Sequence, residues 1–513
     1  PPRSTLFPYT TLFRSVKGKP KFLERQNPII VKVKTEPLFT NTEEHDVFFN
    51  RGAASSQEYA RRFKNIPPDS IINSSLKTEA FKWLARGLDD AFYKFIGQAG
   101  AGDSLFGCFY EFHYTDALDK FKEAIDRGVK VKLIIDCKDK GTTDSDGNNN
   151  SFPMAANKKA IDNAIIPSGC IIQRTANKSA IAHNKFLLFQ PNGQNCPTQV
   201  WTGSVNISKG GIFGQTNVGH WVKNKKAACL FKEYWDLLAT DPGNKNNDSG
   251  GRKNNKNFKE CVTGLSPDID FNGIMDSGES ILPIFSPRTN MDILDTYFAL
   301  IDNASHSSYV TLAFGVNKGL KDKLIDNTFH SPVVFLLLEK KDAPAANSRD
   351  KQAFIMLKPA NNVYEAYGSY FRDSFYKWAK ETTTGTPGLG LNSHVRFIHT
   401  KFLLHDPLGP KPVIVTGSAN FSEASTTKND ENMLIIKNNF RASDIYFTEF
   451  NRLFNHYYYR SVIQELKQKG MDTNAKSVFL DTTDEWLASY KTTNSLKKKK
   501  LDIFRNMSNI NIL

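Results

Sequence analysis

The chain has 513 residues, and 67 Lys+Arg against 53 Asp+Glu leave a formal net charge of +14 at pH 7. With 40% hydrophobic and 12% aromatic residues it can build packed cores, which excludes wholesale disorder. No apolar run reaches the roughly 18–20 residues of a membrane-spanning helix. The six cysteines lie 26–33 residues apart with no Cys-x-x-Cys pair, so they form no zinc or redox motif and outline no disulfide framework. The basic balance favours phosphate-bearing partners, either nucleic acid or an anionic membrane surface, and does not bear on the fold.

Residues 1–15 (PPRSTLFPYTTLFRS) repeat TLF and begin with Pro. They resemble translated sequencing-adapter read-through rather than a signal peptide. They are set aside, the native N-terminus is expected to be missing, and the compartment stays unassigned. Residues 16–75 carry one strand candidate, PIIVKVKTEP at 28–37, bounded by prolines. One strand cannot stand alone, so this segment is expected to be the remnant of a separate β-rich N-terminal domain.

Residues 76–240 form the first large unit. Phe81, Leu84, Leu88, Phe92 and Phe95 recur at helical spacing. Strands are expected at 104–114, 129–137 and 170–175, with helices between them. Three short strands follow in HNKFLLF, QVWTGSVNI and NVGHWV, and a helix at 228–240 closes the unit. Strands alternating with helical crossovers predict an α/β layer on a mixed, largely parallel sheet. Residues 241–275 read as a linker that opens on an Asn/Gly/Lys-rich loop at 241–257. Residues 276–470 then repeat the strand order, the motif order and the closing aromatic helix, which makes the chain an internal duplication. Residues 471–513, with Lys497–Lys500, read as a solvated tail.

The duplicated motifs carry the chemistry. The second half holds HTKFLLHD, with His399, Lys401 and Asp406, followed by GSANFS (Ser418, Asn420) and by Glu431. The first half holds HNKFLLFQ, with His183 and Lys185, then GSVNIS (Ser204, Asn206) and TNVGHWV with Asn217. In a strand, His and Lys two apart share a face, so each half delivers an imidazole and an ammonium to one surface. Glycine lets neighbouring backbone approach, and Asn and Ser add neutral donors. Two such sets around an anion suit displacement at a phosphodiester: cations stabilise the phosphoryl oxygens, one His attacks and the other protonates the leaving alcohol.

At these residues the chain resembles the phospholipase D superfamily in its two-motif, single-chain form. The resemblance implies an α/β fold of two phospholipase D-like α/β/α sandwich domains related by a pseudo-twofold, with the truncated β-type segment in front. It implies a covalent phosphohistidine, with His183 and His399 as nucleophile and general acid and His183 favoured as nucleophile. Lys185, Lys401, Asn206 and Asn420 would bind phosphate, supported by Ser204 and Ser418. Asp406 would be structural, and Glu431 would orient the opposite or the neighbouring histidine. No metal or other cofactor is implied.

The departures lie in the first half, where Gln190 replaces the motif Asp and Asn217 replaces the Glu431 equivalent. The expected partner is a phosphodiester substrate, with a lean to phospholipid, a peripheral membrane contact and a monomeric chain. A nuclease, a phosphodiesterase of smaller diesters and a phosphate-binding protein without turnover are the alternatives. Glu111 and Tyr114 are candidates to line the site. His113, His220, His394 and His405 read as structural or surface residues, and the aromatic helix at 450–460 as core.

Overall fold

The computed structural model describes residues 13–16, 19–22, 37, 39–40, 42–52, 57–144, 146–246, 248–313, 315–328, 330–339, 361–368, 397–468, 485–493 and 495–505. The strand expected at 28–37, apart from its last residue, lies outside these, as do the glycine-rich segment 382–393 and His394. Strands β1 (Phe13–Val16) and β2 (Lys19–Phe22) form an antiparallel hairpin that overlaps the tail set aside above.

Two seven-stranded sheets dominate. The first contains β3 (His45–Phe49), β4 (Ser104–Phe109), β5 (Lys130–Asp136), β6 (Ile171–Arg174), β7 (Lys185–Gln190), β8 (Gln199–Gly203) and β9 (Val218–Val222). The second contains β10 (Ile281–Ser286), β11 (Ser307–Leu312), β12 (Val333–Leu338), β13 (Val363–Tyr367), β14 (Phe402–His405), β15 (Val413–Gly417) and β16 (Glu431–Lys437). Their spatial orders, β3-β9-β8-β7-β4-β5-β6 and β10-β16-β15-β14-β11-β12-β13, match position by position. The fold is a duplicated α/β unit.

Only β4-β5-β6 and β11-β12-β13 run parallel; every other pair in the two sheets is antiparallel. The expectation of a largely parallel sheet is corrected accordingly. Strands covered on both faces read as unbroken apolar runs, as in β12, whose VVFLLL is buried throughout. The motif strands instead pair through short antiparallel connections. Gly203 and Gly417 end β8 and β15 at matched positions. A Cβ there would lie 2.2 Å from the Val218 and Asn432 carbonyl oxygens, so only glycine allows these strands to close.

Four other expectations change. β3 comes from the segment assigned to a separate N-terminal domain, yet it pairs with β9 as the edge of the first sheet, as β10 does with β16. An uncovered β9 would leave an open sheet edge. The segment expected to be a loop contains the start of a helix, Ser249–Leu265, whose N-cap Asp248 accepts the Gly251 N–H and whose Phe258 and Val262 are buried one turn apart. Cys196 and Cys229 form a disulfide with Cα atoms 5.5 Å apart, because the β7–β8 connection meets the helix Lys225–Ala239. The lysine run belongs to a docked helix, Leu496–Arg505: Lys500 lies 4.6 Å from the Tyr364 ring centroid and Lys499 donates to the Ser331 carbonyl.

Helices Lys225–Ala239 and Phe440–Gln468 each pack against strands of both halves. Tyr234 stacks on Phe285 at 4.5 Å, and Tyr446 meets Phe49 and Phe402 edge-on at 5.2 Å. One hydrophobic cluster therefore draws Phe49, Phe186 and Phe231 from the first half and Phe285, Phe402 and Tyr446 from the second. The aromatic helix is core, as expected. His220 is buried and bonds the Tyr446 hydroxyl at 3.1 Å. Among the described residues no helix is long and apolar enough to cross a membrane.

Candidate active site

The two halves meet through the segments that lead into the motif strands. Ala182 pairs with Asp430, and Thr216 pairs with Ile398. Each motif histidine therefore faces the strand start of the opposite half. His183 Nδ1 lies 3.0 and 2.9 Å from the two Glu431 carboxylate oxygens. In the mirror position His399 Nδ1 lies 2.8 Å from Asn217 Oδ1.

A matched hydroxyl stands behind each partner. Ser418 Oγ donates to Glu431 at 2.7 Å and accepts the Asn432 N–H. Ser204 Oγ donates to Asn217 Oδ1 at 2.8 Å and accepts the Val218 N–H. The Asn217 NH2 donates to the Gly211 carbonyl at 2.7 Å, which leaves Oδ1 as the acceptor facing His399. His399 Nδ1 must then carry a hydrogen, which leaves Nε2 without one in the neutral ring.

The two imidazoles lie 6.4 Å apart, centroid to centroid. Lys185 and Lys401 are buried beside them, each donating to the carbonyl of its own histidine, at 2.7 and 2.6 Å. The Asn206 and Asn420 side-chain oxygens are buried without a hydrogen-bond partner. Orphaned amides are costly, and each can rotate to offer its NH2 to an anion. Burial holds both histidines well below the usual imidazole range, and the lysines add to that shift. Burial pulls Lys185 down to about 8 and holds Lys401 well below the usual ammonium range, and it pushes Glu431 up while the two lysines oppose that push. An anionic ligand such as phosphate would favour the charged form of both buried lysines, adding to the pull of Glu431 and Glu111.

Several supporting residues escaped the sequence reading. Asp136 accepts the Ala182 N–H at 2.9 Å, and Glu339 accepts the Phe397 and Ile398 N–H groups at 3.0 and 2.7 Å. These carboxylates hold the approach to each motif. Their signal was an acid closing the apolar run in both halves, LIID and LLLE. Asn50 clamps the Asn217 segment, accepting the Asn217 N–H at 2.8 Å and donating to the Ile212 and Gln215 carbonyls at 2.9 and 2.7 Å. Tyr110 packs on His183 at 5.2 Å, whereas Tyr114 bonds Asp116 along a separate groove. Glu111 is buried and acts electrostatically on both lysines.

The family model for the cardiolipin synthase PLD-like domain matches twice, at residues 93–238 and 297–454. The protein belongs to the phospholipase D superfamily. No curated protein matches the chain. Among solved structures, phosphatidylserine synthase from Haemophilus influenzae Rd KW20 is 13% identical with a TM-score of 0.44, over 75% of this chain and 92% of that one. Polyphosphate kinase from Porphyromonas gingivalis is 9% identical with a TM-score of 0.39; 69% of this chain is matched, to only 46% of the kinase. The superfamily member Nuc from Salmonella typhimurium is 16% identical with a TM-score of 0.24, over 34% of this chain and 94% of Nuc.

Measured against the superfamily motif, the two departures have different consequences. Asp406 lies away from the imidazoles and accepts backbone N–H groups of Ser305, His306 and Ser307, tying β14 to the start of β11. In the first half the Gln190 side chain donates to the Gln194 carbonyl. There Asp103, just before β4, accepts the Asn192 N–H at 2.8 Å, so the tying carboxylate comes from the other strand of the pair. The Asn217 departure lies at an imidazole: it meets His399 as closely as Glu431 meets His183 but is an amide that cannot ionise.

Proposed function

We propose that the protein cleaves or transfers a phosphodiester through a phosphohistidine on His183, with a phospholipid as substrate. The observation that carries this reading is the unequal pair of imidazoles, one backed by a carboxylate and the other by a neutral amide. A carboxylate on Nδ1 raises the nucleophilicity of Nε2 and stabilises the charge that develops on attack. An amide orients without stabilising the imidazolium, which leaves a stronger acid.

His183 Nε2 attacks phosphorus, the phosphorus–oxygen bond to the leaving alcohol breaks, and His399 gives that oxygen its proton. His399 then takes a proton from water or from an acceptor alcohol, whose oxygen attacks phosphorus and breaks the phosphorus–nitrogen bond. Lys185, Lys401 and the rotated Asn206 and Asn420 amides hold the non-bridging oxygens, with Ser204 and Ser418 steadying the histidine partners. The description of the matching family, cardiolipin synthase, supports the choice of a lipid substrate.

A paired assay in EDTA tests the reading. One arm follows phosphatidic acid release and headgroup exchange on phosphatidylcholine and phosphatidylglycerol vesicles, and the other follows cleavage of plasmid and single-stranded DNA. Lipid turnover is expected, undiminished by EDTA and lost in His399→Ala. DNA cleavage that is lost in the same variant would make the +14 charge a nucleic-acid footprint instead.

The acid role makes a second prediction, on pH. Asn217→Asp sets a carboxylate against His399 Nδ1, which favours the imidazolium. The alkaline limb of the kcat–pH profile should therefore move up by on the order of one pH unit. Maximal kcat should fall a few-fold, because the stronger base is the weaker acid. An unmoved alkaline limb would remove His399 as the titrating acid.

A further inference from the structure

The proposed nucleophile depends on an acid from the other half of the chain, so the contact between the halves must be held to a fraction of an ångström. Glu431 is the first residue of β16, and the residue before it is Asp430, almost fully buried. The Asp430 N–H donates to the Ile181 carbonyl at 3.0 Å, two residues before His183. Its carboxylate takes two hydrogen bonds from Arg174 at the end of β6, Nε at 2.8 Å and Nη2 at 3.3 Å.

Arg174 is fully buried, and its surroundings fix it in place. Nη1 donates to Asp241 at 2.7 Å and to the Pro242 carbonyl at 2.6 Å, just past the helix Lys225–Ala239. The Phe258 ring lies 5.4 Å from the guanidinium carbon. The charged neighbours are Asp430, Asp241, Lys138, which donates to the Ala180 carbonyl, and Asp136, which accepts the Ala182 N–H. Around His183 stand Glu431, Lys185, Lys401, His399 and Tyr110.

The pseudo-symmetric side lacks this device. Thr216 occupies the place of Asp430, one residue before Asn217. It makes the matching backbone bond to the Phe397 carbonyl at 2.7 Å, and its hydroxyl accepts the His399 N–H. Among the described residues, a buried bidentate ion pair therefore reinforces the side where the Glu431 carboxyl must meet its histidine and not the other. Such pairs add little net stability over apolar packing but enforce register, because misplacing either partner strands a buried charge.

We propose that the Arg174–Asp430 ion pair is a positioning device, holding Glu431 of the second half in register with His183 of the first. This rests on the reading of His183 as the nucleophile. The test uses the full chain with isotope-labelled histidine and the isosteric variant Asp430→Asn. The Nδ1–H protons of His183 and His399 should each give a far-downfield resonance, assigned with His183→Gln and His399→Gln.

In Asp430→Asn the His183 resonance should vanish or move upfield while the His399 resonance stays. Persistence of both, or loss of both, would overturn the proposal, since the first means no effect and the second a general loosening. Kinetically, Asp430→Asn should lower kcat by about 10–100-fold with KM little changed. In a Glu431→Gln background the same change should cost less than about threefold, since the interaction it protects is gone; full additivity would also overturn it. If Asp430→Asn does not fold, Arg174→Gln probes the same pair. If the native chain turns over no phosphodiester, the functional reading fails, and the two resonances still decide this one.

Discussion

His183→Ala should lower turnover on a natural diester by about 10⁴-fold or more, and His399→Ala by about 10³-fold. The double variant should be little worse than His183→Ala alone, because the two imidazoles serve one displacement. The roles separate with the leaving group. An aryl phosphodiester whose phenolate departs without protonation should restore the first-turnover burst of phenolate release in His399→Ala to within about tenfold of native, with slow turnover after it, and leave His183→Ala inactive. His399→Ala quenched in alkaline denaturant, where the phosphorus–nitrogen bond survives, should then carry the substrate's phosphoryl group on His183. Equal rescue of both variants would contradict the assignment, and rescue of His183→Ala alone would reverse it. The expected asymmetry follows from the partners: Nδ1 of one ring lies 2.9 Å from a carboxylate oxygen, and Nδ1 of the other 2.8 Å from an amide oxygen.

Asp406→Ala should destabilise the protein by roughly 3–5 kcal/mol while leaving kcat per folded molecule within about threefold of native. Its carboxylate accepts three backbone N–H groups at 2.6, 2.8 and 2.9 Å, and alanine would leave all three without a partner. Asp406 also has a φ of 40°, in the left-handed region where Asp is tolerated better than Ala. Urea unfolding together with an active-site titration checks both halves of this expectation. Gln190→Ala at the matching position removes one exposed bond to the Gln194 carbonyl and should cost under about 1 kcal/mol. A large kcat loss in Asp406→Ala at full occupancy of the folded state would instead place that carboxylate in the chemistry.

Much of the architecture was legible along the chain. Apolar runs such as VVFLLL, the repeated His-x-Lys strings and the Gly-Ser-x-Asn-x-Ser strings that follow them are local patterns, and local patterns survive without a structure. They were enough for the duplication, the α/β class and the residue types at the centre. What stayed hidden depends on contacts between distant segments. Glu431 and His183 are 248 residues apart, and Asn217 and His399 are 182 apart; no spacing in one strand encodes which acid meets which ring. The recruitment of His45–Phe49 as a sheet edge is of the same kind, since the need for it arises only when β9 would otherwise be uncovered. So is the service of Asp103 where Gln190 lacks a carboxylate. The Asn/Gly/Lys-rich start of Ser249–Leu265 read as loop because its helix rests on burying Phe258 and Val262, a tertiary gain that outweighs weak local propensity. Residue chemistry and repetition belong to the sequence. The pairing of each imidazole with a partner from the opposite half arises from the packing of two sheets, where burial sets proton affinities and one carboxylate against one amide separates two otherwise equivalent histidines.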